Sequence, residues 1–416
     1  MVNSCAVDMG PIHVSENGRY FVDQNGHPFF WLGDPQWQLF RSFTLAEAEE
    51  ILENRRQKGF TVVQAMVTGL GDGTAANLEG HTPWLDHNPA TPNAAYFENV
   101  DAILQLGRQK RLVMVLYLCH NRQRDYVHPG NARAYARWVA QRYKDVPNLI
   151  WAFVTQVPLA DHLPLIRELA AGVQEGDGGT HLISYHPDPV RPALSSGEIH
   201  TEGWLAFNMI QTWAYYEGIY GMVTRDYHRT PARPVVMAEG AYEDETDSEY
   251  GFVVTPLLVR KQAYWSYLTG GYHSYGHSDC WRVPATWKSA LDAPGAFQMG
   301  VLKRLFVPRQ WWDLVPDQSL FADQVNPGTT LHTAARSQSG DWAIVYLSSP
   351  TRVSIRMAKI AAANEVDAFW IDPQTGTRAS AGTFQNTGAQ AFSTPGGWKD
   401  AILLLEAAQN AQHLDR

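Results

Sequence analysis

Arg233-Pro-Val-Val-Met-Ala-Glu239-Gly240-Ala-Tyr242-Glu243 is an apolar run opened by a proline and closed by a carboxylate and a glycine. Such a run suits a strand covered on both faces, as in parallel α/β sheets. Gly240 allows a sharp exit into a loop, so the strand would deliver Glu239 to a rim. At the C-terminal mouth of a barrel, that is where chemistry is placed. From this stretch alone Glu239 can equally be read as an ordinary solvated loop acid, and the rest of the chain has to decide between the two.

Outward from it, the same texture repeats. Turn signals at Glu16-Asn17-Gly18 and Gln24-Asn25-Gly26 around Tyr20-Phe21-Val22 predict an N-terminal hairpin leading into a first core strand, Phe29-Phe30-Trp31-Leu32. That strand ends in Gly33-Asp34-Pro35 with Trp37 beyond it, and Thr44 with Glu47 three residues on announces a helix over 44–58. Phe60-Thr-Val-Val-Gln64-Ala-Met-Val67 is the second strand, followed by a long Gly- and Pro-rich loop over 68–92, a length that favours function. Further strands begin at Leu112, Leu149, His181 and Ala206, ending at or near His120, Gln156, His186 and Gln211, with helices over 94–110, 131–143 and 163–175 between them. After the Glu239 strand come a helix over 256–269 and a last strand from Gly271, running through Tyr275 to His277. Eight strands alternating with helices, with polar residues at the strand ends, predict a (β/α)₈ barrel.

Beyond a helix over 296–306 the texture changes to short alternating segments, among them Trp342-Ala-Ile-Val-Tyr-Leu347, Val353-Ser-Ile-Arg-Met357, Val366-Asp-Ala-Phe-Trp-Ile371 and Ala401-Ile-Leu-Leu-Leu405. Turn residues between them predict a small C-terminal antiparallel β-sandwich. The expected division is 1–322 for the barrel with its hairpin and 323–416 for the sandwich. The chain's 416 residues exceed what one core usually supports, which also asks for two domains.

The net charge of −9 and the absence of a basic run argue against nucleic acid or an anionic membrane surface as partner. No run of about 18 apolar residues predicts a membrane span. With 15 Trp and 18 Tyr the chain has rings to stack on sugar C–H faces, although Trp also fills cores. The three cysteines, Cys5, Cys119 and Cys280, are too scattered for a disulfide framework or a zinc knuckle. The start, Met1-Val-Asn-Ser-Cys-Ala, lacks a basic n-region and an apolar h-region, so the chain as given reads as cytoplasmic, while a removed leader would make it secreted or periplasmic.

Glycoside hydrolysis needs two carboxyl groups flanking the anomeric carbon. Barrel glycosidases commonly draw them from strands four and seven. Strand seven ends in Glu239, whereas strand four ends in Gln156, which cannot donate a proton as a carboxylic acid does. Among the other rim groups, Asp34 and Trp37 suit a sugar hydroxyl and a sugar face, or equally a helix start and a core. Gln64, His120, His186, Asn208, Gln211, Tyr275 and His277 are further neutral donors and acceptors for hydroxyl recognition, and Tyr242 either hydrogen-bonds the nucleophile or packs. His273 and His277 are four apart, but that spacing shares a face only in a helix, and Gly270-Gly-Tyr-His-Ser-Tyr-Gly is a poor one, so no metal and no other cofactor is expected. No G-x-S-x-G elbow is present, and Gly69-Leu-Gly-Asp-Gly lacks a strand-then-helix phosphate context.

Taken together, Trp31-Leu-Gly-Asp-Pro35, Asn148-Leu-Ile-Trp151, Glu175-Gly-Asp-Gly-Gly-Thr-His-Leu-Ile-Ser-Tyr-His-Pro187, Ala238-Glu-Gly-Ala-Tyr-Glu243, Gln262-Ala-Tyr-Trp-Ser-Tyr-Leu-Thr-Gly-Gly-Tyr-His-Ser-Tyr-Gly-His277 and Gln298-Met-Gly-Val-Leu-Lys-Arg-Leu-Phe-Val-Pro-Arg-Gln-Trp-Trp312 resemble the apiosidase-like glycoside hydrolases. The tail resembles the collagen-binding-type β-sandwich that follows the barrel there. The resemblance covers nearly the whole chain and implies a bacterial glycosidase, on a furanoside or another plant or microbial glycan or glycoside, with an Asp after a Gly-Gly pair on strand four and a Glu on strand seven. Glu239 matches the second; Val154-Thr155-Gln156 departs from the first. Three accounts of Gln156 stay open: a substituted acid/base residue, a native Gln in an enzyme whose leaving group needs no acid, or a site with Asp161 as acid or with no activity that only binds carbohydrate.

Overall fold

The computed structural model describes residues 10–156, 159–188, 193–246, 251–325 and 327–408. Eight parallel strands close a barrel, as the alternation predicts: β1 (Leu32–Pro35), β2 (Val62–Met66), β3 (Val113–Tyr117), β4 (Leu149–Gln156), β5 (Ile183–Asp188), β6 (Leu205–Trp213), β7 (Val235–Gly240) and β8 (Tyr272–Ser274). Each pairs with the next, and β8 pairs with β1 through His273 opposite Leu32. Six helices cross between strands: α1 (Leu45–Gln57), α2 (Ala94–Gln109), α3 (Pro129–Tyr143), α4 (Leu163–Asp177), α5 (Ile219–Tyr227) and α6 (Pro256–Leu268). After β8 follow the short α7 (Ser278–Arg282) and α8 (Trp287–Ala290), then α9 (Pro294–Phe306). Thr44 and Glu47 form the expected capping box at the start of α1.

Three departures from the sequence reading have local causes. Phe29 is not in the first barrel strand; it pairs with Phe21 of the hairpin, and β1 starts only at Leu32. Between them the Thr61 hydroxyl donates to the Phe30 carbonyl (2.7 Å) and accepts from Leu32 N–H (2.9 Å), replacing a ladder bond. His181 is not in β5, because Asp177 at the end of α4 accepts from its N–H (2.9 Å) and contacts its ring. Helix α5 is invisible to propensity, containing Gly221, Val223 and Thr224, and forms because Ile219 and Val223 are buried against the barrel.

The hairpin seals the N-terminal end of the barrel. Phe21 sits among Trp31, Phe207 and Tyr272, with ring centroids 5.1, 5.2 and 5.6 Å away.

The C-terminal segment forms an antiparallel sheet of six strands in the order β9 (Leu314–Pro316), β10 (Thr333–Ser337), β11 (Trp342–Leu347), β16 (Ala401–Ala407), β13 (Glu365–Ile371) and β14 (Arg378–Gln385). A two-stranded ladder of β12 (Arg352–Arg356) and β15 (Ala389–Ser393) packs on one face. Alternation sorts β11 cleanly: Ala343, Val345 and Leu347 join the sandwich core, while Trp342, Ile344 and Tyr346 join the core shared with the barrel. That shared core contains a buried ion pair. Arg260 of α6 reaches both oxygens of Asp400 (3.0 and 2.7 Å), which also accepts from the Tyr346 hydroxyl (2.9 Å), and Tyr264 stacks on Tyr346 with centroids 4.5 Å apart.

No helix among the described residues is long and apolar enough to cross a membrane.

Candidate active site

Glu239 stands at the C-terminal end of β7, with its side chain 13% exposed at the barrel mouth. Its direction is set by an irregularity in the pairing of β6 with β7: Ile210 faces Met237 and Gln211 faces Glu239, so Ala238 has no partner of its own. This bulge re-aims the strand end. Gln64 of β2 reaches across the barrel and donates from Nε2 to the freed Ala238 carbonyl (3.1 Å), while its own oxygen accepts from Ser274 of β8 (3.2 Å).

Gly240 serves a different purpose from the sharp turn expected of it. Its backbone is not left-handed, but a Cβ there would lie 2.2 Å from Oε1 of Gln262. The buried Gln262 amide occupies that space because it bonds both Ala241 N–H (2.8 Å) and Ala241 C=O (3.0 Å), pinning the chain just past Glu239. Gly240→Ala is therefore expected to break both bonds and to misplace the carboxylate. Stability should fall by about 1–3 kcal/mol and turnover by about 100-fold, the scale of an ångström misplacement; calorimetry and steady-state kinetics check the two effects.

The side chains that reach the Glu239 carboxylate are an indole and an imidazole. Trp213, at the end of β6, donates its indole N–H to Oε1 (3.0 Å), and Nε2 of His186, at the end of β5, lies 3.3 Å from Oε2. The Nδ1 of His186 donates to the Pro187 carbonyl (2.9 Å), which fixes the ring. Trp37, Tyr117 and His186 meet edge to face in a triangle with centroids 5.1, 5.6 and 6.0 Å apart, and the Trp37 indole donates to the Tyr242 hydroxyl (2.9 Å). Trp37 is 4% exposed, so it packs beneath the site and offers no open sugar platform. His120 follows β3; its Nδ1 accepts from Arg122 N–H (3.3 Å). Burial, aided by the nearby Arg122 charge, pushes its pKa down to about 4 against the opposing pull of Glu239. The ring is neutral at neutral pH and suits a sugar hydroxyl.

Several rim candidates lie elsewhere. Asp34 is fully buried against Arg55 (2.9 Å) and Gln36 (2.5 Å), and burial raises its carboxyl above the ordinary range despite Arg55. Asn208 points to His200 (3.2 Å), itself held by the Pro231 carbonyl. The Tyr275 hydroxyl donates to Glu243, whose carboxylate also accepts from Gly295 N–H (3.0 Å). His277 caps α7 through Asp279 N–H (3.1 Å) and contacts Asp244 (3.2 Å). His273 is buried in β8, where desolvation pushes its pKa down to about 3. No group of three His, Cys, Asp or Glu among the described residues is arranged to hold a metal ion. The Gln156 backbone ends β4 opposite Asp188; its side chain lies outside the described residues. Sequence reasoning misses Trp213 and Tyr117, and the only signal for Trp213 is a hydrogen-bonding aromatic two places beyond Gln211 at a strand end.

The family model of apiosidase-like catalytic domains matches residues 15–313, and that of the "Putative collagen-binding domain of a collagenase" matches 315–406. A solved structure described as a glycoside hydrolase is 26% identical, with a TM-score of 0.88 over 96% of this chain and 98% of its own. A glycoside hydrolase family 5 structure from Bacteroides vulgatus is 26% identical, with a TM-score of 0.88 over 97% of this chain and 95% of its own. No curated protein matches significantly in sequence.

Proposed function

Because the chain belongs to the apiosidase-like family and is a glycoside hydrolase, we propose that it works with retention of configuration, Glu239 acting as nucleophile and position 156 as the acid/base site. The observation that carries this is the Glu239 carboxylate at the mouth, with Trp213 on one oxygen and His186 beside the other. A nucleophile must present one lone pair to the anomeric carbon along a fixed line, and the Trp213 N–H on Oε1 holds it so. His120 and the rings around it offer neutral donors and acceptors for sugar hydroxyls. The substrate bond is that of a furanoside in a plant or microbial glycan or glycoside, a reading that rests on family membership.

Strand four ending in an amide makes the acid step the deciding one. Gln156→Glu is expected to raise turnover of a glycoside with a poor leaving group by about 100-fold, the ordinary contribution of general acid–base catalysis. A panel of 4-nitrophenyl and alkyl furanosides and pyranosides reads this, and NMR of the first-formed product reads retention. No turnover by either form on any glycoside would favour a barrel that only binds carbohydrate. An inverted product would remove the nucleophile role.

A further inference from the structure

The contacts of Glu239 continue through groups that the catalytic reading does not use. Trp213 has φ 47°, the left-handed region that bulky residues rarely adopt. Such a backbone persists only where the surroundings hold it, and at strand ends near a site it points to a placed side chain. What it places is the indole N–H, 3.0 Å from Oε1 of Glu239.

The second partner of that N–H is Gln211, which faces Glu239 in the β6–β7 register. With its amide nitrogen toward the Pro187 carbonyl, Gln211 donates there, and its oxygen accepts from Trp213 Nε1 at 2.5 Å. The opposite orientation would set oxygen against oxygen and N–H against N–H. The Pro187 carbonyl also accepts from Nδ1 of His186, whose Nε2 stands 3.3 Å from Oε2 of Glu239 without a hydrogen bond to it. The hydrogen bonds run as a chain: Glu239, Trp213, Gln211, Pro187, His186.

We propose that this chain of hydrogen bonds fixes the orientation of Glu239, with Trp213 and Gln211 as its positioning residues. The proposal rests on Glu239 being the nucleophile only for its catalytic consequence. Polarity along the chain is set by the Pro187 oxygen, which can only accept and therefore orients both the Gln211 amide and the His186 ring. Gln211 is 1% exposed and His186 1%, so water does not compete for these bonds. Gln211 is thereby not free to serve as an independent hydroxyl binder.

The test uses the full chain. In protein labelled with ¹⁵N-tryptophan, the Trp213 indole signal is identified by its loss in Trp213→Phe. It is expected to shift in Gln211→Met and in Glu239→Ala, and a signal unmoved by both overturns the hydrogen-bonded chain whether or not the protein is active. On a 4-nitrophenyl glycoside turned over by the parent, Trp213→Phe should lower kcat roughly 10- to 100-fold with KM within about twofold. The Trp213→Phe/Gln211→Met double variant should lose less than the product of the single losses, as members of one network do. A rise in KM alone would make Trp213 a sugar platform and overturn its positioning role; strictly multiplicative losses would overturn the hydrogen-bonded chain. Should Trp213→Phe fail to fold, the shift between parent and Gln211→Met spectra decides. If neither the parent nor Gln156→Glu turns over any glycoside, the nucleophile assignment falls while the spectra still judge the hydrogen-bonded chain.

Discussion

Glu239→Ala, which removes the proposed nucleophile, is expected to lower kcat/KM on an aryl glycoside by about 10⁴-fold or more, the scale of losing a covalent nucleophile. Folding should be nearly unaffected: the side chain is partly exposed at the mouth, and the Trp213 N–H keeps Gln211 as acceptor. Added azide separates the roles of the two strand ends. In Glu239→Ala a small anion can enter the vacated space and attack the anomeric carbon directly, giving a glycosyl azide of inverted configuration. In the parent, which has Gln at 156, a glycosyl-enzyme formed from an activated substrate would be opened by azide to a product of retained configuration. A glycosyl azide of retained configuration from the Glu239→Ala variant would end the assignment of Glu239.

Asp400→Ala acts on stability. Arg260 cannot lose its proton, and without Asp400 its guanidinium is left in a site where it is 2% exposed, with Gln298 (2.5 Å) as its remaining side-chain partner. Removing one member of a buried pair costs about 3–5 kcal/mol. At roughly 2 cal/mol/K of unfolding entropy per residue, this lowers the unfolding midpoint by about 5 °C. The control is Arg260→Met with Asp400→Leu, which removes both charges and should regain most of the loss. A single Asp400→Ala midpoint within about one degree of the parent would show that the pair contributes nothing to holding the two modules together.

The barrel is legible in the sequence because its strands are covered on both faces, which writes each as an apolar run ending in a polar residue; Val235 to Glu239 is the plainest case. Boundaries are less legible wherever a side chain intercepts the backbone, as Thr61 does at Phe30 and Asp177 at His181. At the site, a residue type at a strand end says that a group is near the mouth and not which way it faces. Asp34 and His186 look alike in that respect, yet Arg55 holds one in the barrel wall and Pro187 turns the other toward Glu239. Trp213 is unreadable because its role depends on a left-handed backbone and on a partner 26 residues away across paired strands. Gly240 reads as a turn in the sequence, when the cause of its smallness is Gln262, which only the folded chain brings against it.

Strand β11 carries a further consequence for anyone who cuts the chain. Its residues are apolar on both sides, and Trp342, Ile344 and Tyr346, with Ile402 and Leu404 beside them, are covered by the barrel. A sandwich released by a cut before Leu314 would present those five side chains to water as one continuous greasy patch. Patches of that kind self-associate, so the freed piece should precipitate or oligomerise.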